Sequence, residues 1–362
     1  MHEKIAILTI NDIDNYGNRL QNYALVQLLG GKDTCTTIHL DIYRYSIFKY
    51  YIRPFSTVLR MIKASISQNH KLYWKRISKA KQFTTRYASN NIFSLTAYKG
   101  LKVRGNNQLK TVVIGSDQVW NYEWLSKEDL SLRLGSFASS DVPTISYAAS
   151  IGVSRIDGSV GPVFREYLPR LKAISVREDR ARELIKEVAD LNAAVVLDPT
   201  LMITSKEWLK ITENFVSGDD RYVLTYFIGK PSAAQERTIQ EYATAHNCRV
   251  RRMLDLRDPE TYVSGPQDFV ELFSKSEYVF TDSYHACCFS ILFHKQFTVF
   301  NRDGMKGSMN SRMETLFRLF DLNAVVMDDG LAPVIDYDKV DRLLERHRAE
   351  SQAWLDKAME IE

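Results

Sequence analysis

The chain is predicted to be an α/β protein built on two open, mainly parallel sheets with a cleft between them. Three observations predict this. Short apolar runs of strand length alternate with longer helical patterns along most of the 362 residues. The length exceeds one typical domain, and the alternation stops at Asp198-Pro199-Thr200 and resumes beyond a polar segment at 212–220. Finally, clusters of polar residues follow the strands, at the carboxyl edge where open sheets bind ligands.

In chain order, strands are expected at Lys4–Ile10, Thr36–Asp41, Thr111–Ile114, Thr144–Ala148, Ala173–Val176 and Ala194–Leu197, with helices between them such as Arg19–Leu29 and Arg180–Val188. A segment at about 42–110 interrupts this order and reads as basic helices. The second set has strands at Tyr222–Ile228, Arg249–Arg252, Tyr278–Thr281, Phe297–Phe300 and Ala324–Met327. Its helices include Ser232–His246, Gln267–Ser274 and Ser311–Phe320. The expected division is residues 1–212, carrying the insert; 213–336, carrying His285; and a charged amphipathic helix at 337–362 that packs on either domain.

Hydrophobic content of 45% and charged content of 25% are ordinary for a globular protein. The first strand starts almost at once, so no signal peptide is expected, and no apolar run approaches the roughly 20 residues of a membrane-spanning helix. The four cysteines, Cys35, Cys248, Cys287 and Cys288, lack metal-ligand spacing, so reduced thiols and no metal site are expected. Together these lead to the expectation of a cytoplasmic protein.

The net charge of +4 hides an asymmetry. Between Ile42 and Ser116 there are 15 Lys and Arg and no Asp or Glu, which leaves 33 basic against 44 acidic residues elsewhere, a net of −11. The basic stretch is also aromatic, with Tyr43, Tyr45, Phe48, Tyr50, Tyr51, Tyr73 and Trp74 among others. That mixture suits an anionic membrane surface or a phosphate-carrying acceptor. It also suits nucleic acid, or a solvated face that balances an acidic partner domain. Membrane or lipid-phosphate contact through residues 42–110 is the reading taken, with no nucleic acid partner.

Five clusters could carry chemistry. In Tyr278–Asn301 a strand stops at Asp282-Ser283-Tyr284-His285 and an apolar helix begins, so His285 sits where free helix N–H groups attract anions. The plainer alternative is a hydrogen-bonded core histidine. Asn11–Leu25 places Asp14, Asn15, Gly17, Asn18 and Arg19 on a turn entering a helix, either as a polar loop on the cleft or as simple capping. Val112–Asn121 sets Asp117 beside Trp120, a pairing that can hold a sugar by hydroxyl hydrogen bonds and ring stacking, or else an N-cap and a core indole. Arg177, after the strand ending at Val176, offers a fork for phosphate or carboxylate, unless it is used in a salt bridge. Arg302–Leu316 combines Gly304, Lys306, Gly307 and Ser308 before a helix, a phosphate-holding composition without P-loop spacing.

Taken together, N-Y-G-N-R-L-Q-N-Y-A-L, V-I-G-S-D-Q-V-W-N, I-S-Y-A-A-S-I-G, S-V-R-E-D-R, V-L-D-P-T-L, T-D-S-Y-H-A and K-G-S-M-N-S-R resemble the polysaccharide pyruvyl transferase family, in that family's order, over roughly residues 4–325. The insert at 42–110 and the tail beyond about 335 lie outside the resemblance. It implies two Rossmann-like domains arranged as in the GT-B glycosyltransferases. It implies phosphoenolpyruvate as donor substrate, no further cofactor, and a pyruvate ketal on a sugar of a bacterial surface glycan or of its lipid diphosphate-linked precursor, made at the inner face of the cell membrane. The family's donor-site Arg, His and Lys fall on Arg177, His285 and Lys306, with Lys295 as the alternative lysine. Ser283 and Ser308 join the donor side. Asp14, Asn15, Asn18, Asp117 and Trp120 are expected on the acceptor side. The alternatives are a GT-B glycosyltransferase using a nucleotide sugar, and a non-catalytic glycan- or membrane-binding protein.

Overall fold

The structure, a computed structural model, describes residues 4–10, 12, 14–41, 68–88, 92–96, 109–212, 220–301 and 310–360. Seven strands form the first sheet: β1 (Lys4–Leu8), β2 (Cys35–Asp41), β3 (Ile92–Thr96), β4 (Leu109–Asp117), β5 (Thr144–Ala149), β6 (Ala173–Val176) and β7 (Ala194–Val195). Five form the second: β8 (Tyr222–Tyr226), β9 (Arg249–Met253), β10 (Tyr278–Thr281), β11 (Gln296–Phe300) and β12 (Val326–Met327). All described pairings are parallel. Helices cover both faces, which is why the central strands read as unbroken apolar runs; every residue of β5, β8 and β10 is buried.

The first sheet has the order β3-β2-β1-β4-β5-β6-β7, and the second β12-β11-β10-β8-β9. These are the two common doubly wound orders, so the protein has two Rossmann-like domains. Each order reverses once, between β1 and β4 and between β8 and β10. A reversal sends neighbouring connections to opposite faces and opens a crevice at the strands' carboxyl ends.

The domains share one hydrophobic core. Tyr16, Leu20, Tyr23 and Ala24, on the helix Tyr16–Leu28, pack with Tyr226, Phe269 and Phe289 of the second domain. The Tyr16 hydroxyl donates to the Ser264 carbonyl at 2.8 Å. The terminal helix Tyr337–Met359 packs on both domains: Val340 and Leu344 lie in this shared core, Leu355 and Ala358 in the core under the first sheet.

The insert departs from its expected all-helical form. Helix Gln68–Phe83 is present, and its Lys79 ammonium lies 2.6 Å from Asp268 of the second domain. Ile92–Thr96, however, is a parallel edge strand on β2. The helix continues as a wider helical turn over Thr84–Ala88, and residues 42–67, 89–91 and 97–108 of the insert lie outside the described residues. No helix among the described residues is long and apolar enough to cross a membrane.

Candidate active site

The turn after β10 is shaped by its own polar side chains. The Thr281 hydroxyl donates to the Tyr226 carbonyl at 2.6 Å and accepts from the Ser283 amide at 3.0 Å. Asp282 accepts from the Ile228 and Gly229 amides at 2.7 and 2.8 Å, tying together the two strands of the second domain's switch point. The helix Tyr284–Leu292 begins there, and its second residue is His285. The imidazole is 6% exposed and points into the first domain.

Gly17 makes that approach possible. A Cβ at Gly17 would stand 2.1 Å from His285 Nδ1, inside any van der Waals contact. Gly17→Ala is therefore expected to push the ring off its seat and lower kcat by about 10²-fold, the effect of a misplacement near 1 Å. Kinetics with a thermal melt check this. A folded Gly17→Ala enzyme with full turnover would show that the ring position is unimportant.

Around His285 lies a buried charge cluster. Asp198 Oδ2 is 3.8 Å from His285 Nε2 and 2.6 Å from Arg177 Nη1. The other arm of Arg177 meets Asp117 at 2.8 Å, and Arg312 approaches the same carboxylate at 3.6 Å. Thr200 holds Asp198 through its amide and hydroxyl at 2.9 and 2.7 Å. The Arg177 guanidinium stands over the Tyr284 ring at 4.3 Å. Glu178 accepts from the Ser150 hydroxyl and from the Ile151 and Gly152 amides at 2.9–3.1 Å.

Burial alone would push the Asp198 and Asp117 carboxyls up, but Arg177, His285 and the hydrogen bonds to each carboxylate together outweigh it and hold both below the ordinary carboxylate range. For His285 burial wins. It lowers the imidazole from its usual value against the pull of Asp198 and Asp117, so the ring is neutral at pH 7. Among the described residues, three buried nitrogens in this cluster lack a hydrogen-bond partner: His285 Nε2, Arg177 Nε and Arg312 Nε. Each unmet buried donor costs about 1–3 kcal/mol. The cluster therefore offers cationic donors to an anion brought to His285.

The other expected site residues divide. Asn15 caps its helix, its side chain accepting from the Asn18 amide at 3.3 Å, while Asn18 is buried within that helix. Asp14 faces outward, paired with Arg76 at 3.0 Å and with the Tyr73 hydroxyl at 3.2 Å. Lys306 and Ser308 lie outside the described residues. Two expectations are corrected, and the alternative lysine is set apart from the site. Trp120 has no exposed surface; it packs in the first domain's core and donates to the Arg133 carbonyl at 2.9 Å, so its ring has no face for a sugar. Arg177 is out of solvent with both fork ends on carboxylates, which makes it a holder of Asp117 and Asp198; Arg312 is the less engaged cation. Lys295 precedes β11, at the amino edge of the sheet, a strand length on the order of 15 Å from the carboxyl edge that carries His285.

Asp198, Glu178 and Arg312 were not singled out by sequence as site residues. The signal for Asp198 was present: an acid directly after a strand and before Pro-Thr, at the edge where the other polar clusters fall.

The family profile described as "Polysaccharide pyruvyl transferase" matches residues 15–304. No curated protein sequence matches the chain. Among solved structures, UDP-GlcNAc 2-epimerase from Neisseria meningitidis bound to UDP-GlcNAc is 12% identical, over 95% of this chain and 99% of that one, at a TM-score of 0.41. UDP-N-acetylglucosamine 2-epimerase from Rickettsia bellii is 9% identical, over 98% and 95%, at 0.46. A UDP-glucosyltransferase from Polygonum tinctorium is 10% identical, over 100% and 99%, also at 0.46.

Proposed function

The chain belongs to the polysaccharide pyruvyl transferase family, and from that premise we propose that it transfers the pyruvyl group of phosphoenolpyruvate to two hydroxyls of a hexose in a bacterial surface glycan or its lipid-linked precursor. The product is a pyruvate ketal, with phosphate released. The observation that supports this reading best is the pair of unpartnered buried nitrogens on His285 and Arg312. Phosphoenolpyruvate carries phosphate and carboxylate on one carbon and can accept from several donors at once.

In this reading His285 is the general acid. Its proton goes to C3 of the donor, leaving C2 cationic. A sugar hydroxyl adds to C2, the C2–O bond to phosphate breaks, and a second hydroxyl closes the ketal. One hydroxyl proton restores the imidazolium and the other leaves with phosphate. The free imidazole is neutral, so it must gain its proton with the donor. The donor's negative charge supplies the cause, since an opposite charge within about 4–6 Å favours the charged ring. Arg312 and Lys306 meet the donor's anionic groups, with Ser283 and Ser308 beside them. Asp117 and Asp198, held by Arg177, keep the ring oriented and receptive to a proton. Asp14 stands on the acceptor side.

The acceptor's lipid carrier is part of the proposal, as is the grip of residues 42–110 on an anionic membrane face. One assay tests the whole. Phosphate release from phosphoenolpyruvate is followed with galactosides, glucosides and N-acetylmannosaminides, free and lipid-linked, and products are weighed by mass spectrometry. Acceptor-dependent release is expected, greater with lipid-linked acceptor in anionic than in neutral liposomes, and weaker in high salt. No release with any acceptor, together with stabilisation by nucleoside diphosphates, would replace pyruvyl transfer by glycosyl transfer.

A further inference from the structure

A cleft of about 950 Å³ opens at the carboxyl ends of β8 and β9, in the second domain. Its floor and sides come from Phe227–Ala233 after β8 and Met253–Arg257 after β9, with Tyr262 beside them. Asp14 and Arg76 close it from the first domain and the insert helix. No step assigned above uses this space.

The cleft is joined to the His285 turn by two short connections, one along the chain and one through hydrogen bonds. Asp14 is three residues from Gly17, which touches the imidazole, and three residues span at most about 11 Å. On the other side, Asp282 holds the Ile228 and Gly229 amides of the cleft wall and is itself three residues from His285. The cleft is thus walled by the same segments that seat His285.

The lining indicates what kind of molecule. Ile228 is 54% exposed and Leu256 41%, although both are large aliphatic residues on a polar rim. With Phe227 and Tyr262 they offer apolar and aromatic surface to the face of a ring. Between them stand paired charges. Arg252 is bound to Glu236, Arg257 to Asp255 at 2.5 Å, and Arg76 to Asp14 at 3.0 Å. Such pairs present both acceptors and donors, which suits hydroxyl groups. Among the described residues only one cation of the lining, Lys230, has no carboxylate partner. The volume lies at the upper end of the roughly 300–1,000 Å³ usual for small-molecule sites, more than one sugar ring requires.

We propose that this cleft is the acceptor site and that it selects a glycan of more than one ring carrying a negative charge, which Lys230 meets. The inference rests on the pyruvyl transfer reading and adds the site and class of the acceptor. The anion is a phosphate or a carboxylate, and the probes separate these.

Binding to the full chain is measured calorimetrically without donor, for lactose, cellobiose and chitobiose as methyl glycosides and as 1-phosphates, with cellobiuronic acid as the carboxylate probe. Phosphoenolpyruvate binding is measured separately on the same proteins. An anionic probe is expected to bind at least about tenfold more tightly than its neutral counterpart, the effect of one charge-assisted hydrogen bond. Lys230→Gln should remove that preference, and Leu256→Ser should weaken neutral and anionic probes alike; neither should alter donor affinity. Both side chains are exposed, so both variants should fold. If donor binds but no disaccharide does, or if Lys230→Gln leaves the preference intact, the cleft assignment falls and the pyruvyl transfer reading stands. If the disaccharides bind as described but phosphoenolpyruvate does not, the cleft assignment survives as a glycan site and the transfer reading fails.

Discussion

Replacing His285 by alanine or glutamine is expected to lower turnover by about 10²–10⁴-fold, the usual contribution of a positioned general acid. Folding should be little affected, because Nε2 makes no hydrogen bond within the described structure. The pH profile separates a catalytic role from a structural one. The free ring titrates below its ordinary value because it is buried. The limb that kcat/KM for the donor owes to His285 should therefore fall as pH rises through a value under about 6.5. The corresponding limb in kcat should lie higher, since bound donor favours the imidazolium. Subtracting the His285→Gln profile removes the donor's own ionisation. A folded His285→Gln enzyme with unchanged turnover, or with the same limb, would eliminate the ring as the acid.

The second large effect concerns stability. Asp198→Ala takes away a carboxylate with no exposed surface, which receives Arg177 at 2.6 Å, the Thr200 amide and hydroxyl, and the Ser116 hydroxyl at 3.2 Å. Removing one partner of a buried ion pair leaves the other charge without compensation, at a cost of about 3–5 kcal/mol. Asp117 still holds one arm of Arg177, so the lower part of that range is expected. Urea denaturation measures the loss. By contrast, Lys186→Ala breaks an exposed pair with Asp190 and should not move the midpoint detectably. The pH sign follows from the depressed carboxyls. Unfolded Asp198 and Asp117 bind protons at a higher pH than folded ones, so their contribution is complete above about pH 4 and is lost as pH falls through the folded values. Wild type and Asp198→Ala should thus approach one another in stability under strong acid. Equal midpoints for the two proteins at neutral pH would mean that the cluster does not hold the fold together.

The alternation of apolar runs with helical patterns located eleven of the twelve described strands, because strands covered by helices on both faces tend to be continuously apolar. Ile92–Thr96 was overlooked for a reason in the same physics: an edge strand inside a basic segment has no such run. Sequence could place His285, Arg177 and Asp117 at carboxyl edges, but it could not show what each side chain meets. Trp120 follows the same turn as Asp117 yet points back into the core, and a one-residue difference in direction is invisible in spacing. Arg177 illustrates the same limit. Its position was legible, but its two carboxylate partners lie 60 and 21 residues away in the chain, so its saturation was not. The contact between Gly17 and His285 joins two separate motifs and appears only when the domains are packed together.

That packing has a consequence for how the protein loses its structure. Tyr16 and Phe269 belong to helices of different domains but to one apolar core, with ring centroids 5.4 Å apart. Domains joined by a small wet contact can melt separately, whereas a large apolar seam makes the melting of one strip the other. Here the imidazole comes from one half and its seat from the other, so the geometry proposed for catalysis exists only in molecules where both halves are folded. Activity is then a direct count of fully assembled molecules, with no half-folded form contributing to it.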